Sequence, residues 1–321
     1  MLLVGLLFGW PTLWAVGAPE FTLRFGGSDP GRGLLDQTTR KFVELSEQKS
    51  NGRIKWNYFC CDQLGGDIAQ IEQMMANSIQ AYGDVLEWYA NWVKDFAIFG
   101  WGFTFRDDDH FARFLESPTF KEMAEKLRVQ NGLRILAAAP TEPRMLWTKK
   151  PISKLDDLKG MKMRVPEIKA YLMVWEALGT KPTRVTWAEV YLALKTGVVE
   201  GAEGPVSAIY GVKFHEATPN GYLTNHILSS VHITMNEKTY QSLPPDLKKV
   251  VEESAREAVA WVRDEAQKVV KETLKKMAAE GAKIGTIDTR PFQERLREAV
   301  GKAEAEGLWS RGLWQKVQAI R

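Results

Sequence analysis

Cysteine is almost missing from this chain: its 321 residues hold only two, and they are adjacent, Cys60-Cys61. So few exclude a disulfide framework, and adjacency removes the spacing of a thiolate metal site. The pair is either one buried and one exposed thiol or a vicinal disulfide, which an oxidising compartment permits. Histidine is equally scarce, at four residues. Only His226 and His232 could share a strand face, and packing explains them more simply than ligation does. The acidic run Asp107-Asp108-Asp109 before His110 reads as a solvated turn opening a helix. No G-x-S-x-G, H-E-x-x-H, C-x-x-C or P-loop run occurs, and no G-x-G-x-x-G follows a strand. Each of those spacings exists to place a nucleophile, metal or phosphate, so the chemistry they serve lacks a carrier here. No catalytic residue, metal ligand or cofactor is assigned, and the chain is not expected to be an enzyme.

Charge of one sign is missing as well. The 43 basic and 40 acidic residues leave a formal charge of +3, with no basic block interleaved with aromatics. That argues against a nucleic-acid partner. Long apolar runs are confined to the first twenty residues. Met1 to Ala18 carries no charge, contains Leu2, Leu3, Val4, Leu6, Leu7 and Phe8, and closes on Ala15-Val16-Gly17-Ala18. The small-x-small ending predicts an export signal cleaved near Ala18, residues 1–18. A membrane-spanning helix needs about 20 apolar residues, and Pro11 interrupts this one. The basic residues usual at the start of such a signal are missing, as an upstream start codon would explain. The expected mature protein is soluble and periplasmic.

What is present is one grammar used twice. Phe21–Phe25 reads as a strand, Leu34–Lys49 as a helix and Ile54–Phe59 as a strand. Asp67 and Gln70 then form a capping box, and a third strand lies near Gly83–Leu86. After Pro151 the pattern returns: a turn closed by Gly160, a strand Met161–Val165 and a helix from about Ile168 to Leu178. A strand Lys181–Val185, a helix opened by Thr186 and closed by Gly197, and a strand Val198–Ala202 complete it. Strands alternating with helices predict two α/β lobes, each a mostly parallel sheet flanked by helices. Leu133–Ala139 reads as a strand leaving the first lobe, and Leu223–Met235 as one long crossing strand. Apolar residues every three or four positions from Asp246 to Ala279 mark a long amphipathic helix. The expected division is 19–140 plus 233–260 for lobe I and 141–232 plus 280–321 for lobe II, with helix 246–279 spanning both.

Within this frame, Asp156-Asp157-Leu158-Lys159-Gly160-Met161-Lys162-Met163-Arg164-Val165-Pro166 resembles the central signature of one family. These are the extracytoplasmic solute-binding subunits of tripartite ATP-independent periplasmic (TRAP) transporters, dicarboxylate-binding type. Further matches follow in order: Gln63-Leu64-Gly65-Gly66, Phe103-x-Phe105-Arg106-Asp107, Glu189 to Val198, Glu200-Gly201-Ala202-Glu203 and Leu223-Thr224-Asn225-His226. The resemblance implies a two-lobed periplasmic-binding-protein-like fold that closes on a small organic carboxylate and presents it to membrane permease subunits.

Arg164 is the residue on which both lines of reasoning meet. It stands where a parallel strand ends at Pro166, the position at which open α/β sheets bind ligands. A guanidinium there can grip a carboxylate with two parallel hydrogen bonds, which lysine cannot do. The resemblance implies that Arg164 is the carboxylate clamp and Arg144 a second cleft arginine. Where the family commonly has an asparagine that reaches the ligand, this chain has Gly204. Glu203 or the backbone would then make that contact, and Gly204 would open volume in the pocket. Trp187, Trp88 and Tyr89 are candidate ligand contacts, and Asn225 joins them by its motif. Together they predict a partly apolar, aromatic pocket for a monocarboxylate with a hydrophobic or ring body. The competing reading is a ligand-binding sensor for a membrane histidine kinase. The oligomeric state is not legible.

Overall fold

The computed structural model describes residues 18–29 and 33–321. The expected export signal, apart from Ala18, and Pro30-Gly31 of the first loop lie outside the described residues. Among the described residues, no helix is long and apolar enough to cross a membrane.

Among the described residues, ten strands carry the fold: β1 (Phe21–Gly26), β2 (Ile54–Phe59), β3 (Ala81–Tyr82), β4 (Leu133–Thr148), β5 (Lys162–Val165), β6 (Lys181–Arg184), β7 (Gly201–Pro205), β8 (Asn220–Tyr222), β9 (Leu228–Asn236) and β10 (Lys283–Gly285). They follow the order β2-β1-β3-β9-β4-β7-β5-β6, with β8 joining β4 to β10. Strand β1 runs parallel to β2 and β3, as β5 does to β6 and β7. Strands β4 and β9 run against their neighbours, so the sheet is mixed. The result is a two-lobed α/β fold.

Local sequence explains these elements. In β1, Leu23 and Phe25 alternate inward, and Phe25 packs 5.7 Å from both Phe42 and Trp56. Phe42 belongs to the helix Leu34–Lys49, whose buried residues recur at helical spacing. Gly160, Gly179 and Gly197 all adopt positive φ, which only glycine takes without strain, and each ends an element where one was expected to end.

Two crossing elements differ from expectation. Strand β4 does not stop at Ala139 but continues to Thr148, first along β9 and then between β7 and β8. Its register slips between Pro140 and Pro143, where prolines supply no N–H to a ladder. Conversely, the segment 223–235 is not one strand. Residues 223–227 form a loop, and β9 pairs only with β3 and β4, so residues 228–232 sit with the first half of the sheet.

The long helix Pro245–Ala279 has 35 residues, about 52 Å of length. Leu247, Val251, Ala255 and Val262 enter the larger core, while Met277 enters the smaller core around Trp147 and Phe214. The C-terminal segment, expected wholly in lobe II, also grips residues 95–110. Asp95 accepts hydrogen bonds from the Ser310 backbone (2.6 Å) and hydroxyl (3.0 Å), and Trp309 packs edge-on at 5.2 Å from Trp101.

Candidate functional site

A cavity opens where the two halves of the sheet meet, the position at which open α/β sheets bind ligands. Ser28, Asp29, Asp84, Val85 and Trp88 follow the carboxyl ends of β1 and β3; Arg164, Pro166 and Pro205 end β5 and β7. Asp67 opens the helix Asp67–Met75, and Arg144 lies in the crossing part of β4. Parallel strands direct their carboxyl ends at one rim, so side chains distant in sequence converge there. The lobes also touch beside the cavity. The Leu34 N–H donates to Ser207 Oγ at 3.0 Å, and the Ser207 backbone N–H donates to Glu142 at 2.7 Å.

Arg164 is 2% exposed. Its Nε donates to the Val185 carbonyl at 2.9 Å, and the guanidinium lies 5.3 Å from the centre of the Trp187 ring. Among the described residues, no carboxylate pairs with it. Burial pulls its pKa down to about 10. A buried cation without a counter-ion is expensive, and among the described residues its terminal nitrogens have no acceptor.

Arg144 also reaches the wall but is already paired. Its Nε and Nη2 donate to Glu203 at 2.5 and 2.8 Å, a fork-to-fork geometry. His226 Nε2 lies 3.2 Å from the same carboxylate, and Thr224 Oγ1 lies 2.7 Å from His226 Nδ1. The Arg144 guanidinium further stacks on Tyr171 at 5.2 Å, whose hydroxyl donates to Glu87 at 2.8 Å. Despite burial, Arg144 holds the Glu203 carboxyl far below the ordinary carboxylate range.

The opposite wall is acidic. Asp29 Oδ2 accepts the Asp36 N–H at 3.3 Å, capping the helix Leu34–Lys49, whereas the buried Oδ1 has no partner. Asp84 Oδ1 takes the Val85 N–H (2.8 Å) and the Trp88 indole (3.1 Å). Asp67 Oδ1 accepts from the Tyr82 hydroxyl at 2.5 Å. Burial raises all three: Asp29 to about 7, Asp67 upward, and Asp84 well above the carboxylate range, with Asp67 and Asp29 adding repulsion at Asp84.

Of the residues singled out from sequence, Arg164, Arg144, Trp187 and Trp88 line the cavity. The remaining four do not. Glu203 is wholly buried with its oxygens committed to Arg144 and His226, so it cannot take over a ligand contact. Gly204 opens no volume for a ligand: a Cβ there would lie 3.0 Å from Trp187 Cη2 and 3.1 Å from Ile209 Cγ1. The space vacated by a side chain is filled by Trp187. Tyr89 points into the core, 4.9 Å from the His232 ring. Asn225 is exposed in a left-handed turn away from the wall. Sequence reasoning missed Asp29, Asp67, Asp84 and Tyr171. Asp29 and Asp84 follow the ends of β1 and β3, the same positional signal that identified Arg164, whereas Asp67 reaches the cavity from the helix it opens.

Cys60 and Cys61 are joined in a disulfide, which selects one of the two states left open by sequence. Asp107 caps the helix Asp108–Glu116 through the His110 N–H at 2.7 Å, as its acidic run suggested.

Residues 27–306 match the profile of the bacterial extracellular solute-binding proteins, family 7. A solute-binding protein of Sulfitobacter sp. (strain NAS-14.1) is 29% identical over 311 residues, 95% of this chain and 93% of its own. The sialic acid-binding periplasmic protein SiaP of Vibrio cholerae is 26% identical over 280 residues, 86% of each chain. A crystal structure of a TRAP periplasmic solute-binding protein from Roseobacter denitrificans, with bound L-galactonate, superimposes with a TM-score of 0.88. It is 25% identical and covers 95% of this chain and 99% of its own.

Proposed function

The chain belongs to family 7 of the bacterial extracellular solute-binding proteins, and from that premise we propose that Arg164 clamps a small organic carboxylate for delivery to TRAP membrane permease subunits. It is a binding protein and not an enzyme.

One observation carries the proposed role: Arg164 is a buried guanidinium with no carboxylate partner, at a strand's carboxyl end, facing the interlobe cavity. A ligand carboxylate would supply the missing counter-charge through two charge-assisted hydrogen bonds. Trp187 stacks on the guanidinium and fixes its plane. Arg144, neutralised by Glu203, shapes the wall and orients Tyr171 rather than competing for the carboxylate. L-galactonate and sialic acid, named for the relatives, support a carboxylate as this chain's solute. Lobe I and lobe II would close on it about the β4 crossing, the permease reading the closed form. The leader would be removed near Ala18, releasing the protein into the periplasm.

The test is thermal shift against a panel of organic acids. Ligand at a hundredfold excess over its dissociation constant adds about 2.7 kcal/mol of apparent stability. Arg164→Ala and Arg164→Lys should both lose that shift while keeping the ligand-free melting temperature. Undiminished binding by Arg164→Ala would remove the assigned role.

A further inference from the structure

The two walls of the cavity differ in sign, and a carboxylate answers only one of them. The wall that holds Arg164 carries the single cation left without a carboxylate among the described cavity residues. The other carries Asp29, Asp67 and Asp84, close enough for Asp84 to feel the other two. Helix capping explains part of this, since Asp29 and Asp67 stand at helix N-termini. It does not account for the leftover acceptors. Among the described residues, Asp29 Oδ1 is buried with no hydrogen-bond partner, and the bonds to the Asp84 carboxyl both fall on Oδ1.

Ionised carboxylates only accept hydrogen bonds. A ligand hydroxyl offers one donor and would bring its own lone pairs into an acceptor-rich corner. An ammonium offers three donors and no acceptor, and its charge would take the place of the protons that burial holds on these acids, which would leave to solvent. The rest of the lining suits a compact solute of that kind. Leu35, Val85, Pro166, Ile168 and Ala208 offer no partners to a chain of hydroxyls. Trp88, held by Asp84, presents an aromatic surface beside the acids, and cations favour such faces.

We propose that the solute is an amino carboxylate, its carboxylate on Arg164 and its ammonium among Asp29, Asp67 and Asp84. This rests on the carboxylate-clamp reading above and specifies the other end of the same ligand. Asp84 then determines specificity by selecting the cationic end.

The experiment compares 4-aminobutyrate, 5-aminovalerate and L-proline with butyrate, 4-hydroxybutyrate, D-gluconate and D-galactonate, by thermal shift and calorimetry on the mature protein. At least one amino carboxylate should bind more tightly than every amine-free acid. Asp84→Asn should weaken that ligand at least about thirtyfold while changing affinity for the hydroxy analogue no more than about threefold, as a neutral isostere would. A general loss of folding would weaken both alike. Asp29→Asn provides the same contrast should Asp84→Asn not fold. Binding of D-gluconate or D-galactonate that needs Arg164, with none of the amino carboxylates binding, would overturn this inference and leave the clamp intact. Binding by no carboxylate of either set would remove both.

Discussion

Arg144 and Glu203 form a buried, two-pronged ion pair across the antiparallel strands β4 and β7, with contacts of 2.5 and 2.8 Å. The pair decides which of two cavity arginines is available. Arg144 is satisfied from within the protein, whereas Arg164 bonds only the Val185 carbonyl among the described residues.

Breaking that pair should damage the fold before it damages recognition. Removing one partner of a buried ion pair strands the other charge, at about 3–5 kcal/mol. Arg144→Ala should therefore shift the urea midpoint strongly downward. Arg144→Met combined with Glu203→Leu should recover much of that loss, because no charge is stranded. A double variant no more stable than Arg144→Ala would show that the pair is not the source of the cost.

Restoring the family's asparagine at Gly204 should weaken this protein. Its new side chain would start 3.0 Å from Trp187 and 3.1 Å from Ile209, and overpacking of that kind costs about 1–3 kcal/mol. Trp187 would be displaced from Arg164, so Gly204→Asn should lower both the melting temperature and carboxylate affinity. Unchanged affinity in calorimetry would mean that Trp187 does not support the clamp.

Stability should fall as pH rises from 5 to 8. Burial raises Asp29 from 3.8 and Glu142 from 4.5, each to about 7. The folded protein thus keeps protons that the unfolded chain has already released, and between pH about 4 and 7 each unit of rising pH favours unfolding. Glu203 has the opposite sign below the ordinary carboxylate range, and His232, pulled down to about 3 by burial, has it up to the ordinary histidine range; Asp84, raised well above its ordinary value, offsets His232. Melting temperatures across pH 5 to 8 should decline, and Asp29→Asn with Glu142→Gln should flatten the slope. A rising curve in the wild type would contradict this assignment.

Ser207 links the lobes by accepting the Leu34 N–H and donating to Glu142. Ser207→Ala leaves the Leu34 N–H without that partner, a loss of about 1–3 kcal/mol when buried. It should speed solute release several-fold in stopped-flow fluorescence, with little change in the association rate. Trp88 and Trp187, both on the cavity wall, provide the signal.

The legible parts of this molecule were those written locally. Glycines with positive φ ended elements where the sequence placed them, and the strand-terminating Pro166 located Arg164 at the rim. The Arg144–Glu203 pair was illegible because its partners meet only through strand pairing. Tyr89 was misassigned because it neighbours Trp88 in a tight 3-10 turn, Leu86–Asn91, whose successive side chains point different ways. The crossing strand, expected to end at Ala139, runs on through Pro140 and Pro143. They are tolerated where β4 changes partners. Asp29 and Asp84 stand at strand ends as Arg164 does, but short acids after a strand also read as ordinary helix caps, and Asp67 comes to the cavity only through the tertiary fold.

The position of β9 has a consequence for timing. It fills the gap between β3 and β4 in the first half of the sheet, yet it is made about ninety residues after β4 begins. Until residue 236 has emerged, β3 and the start of β4 cannot meet, and neither half of the sheet corresponds to one uninterrupted stretch of chain. Pairings this remote delay folding. In a polypeptide threaded outward from its amino end, the β3–β9–β4 pairings would form only after nearly three-quarters of it had crossed. Only β10 joins the sheet later than this strand.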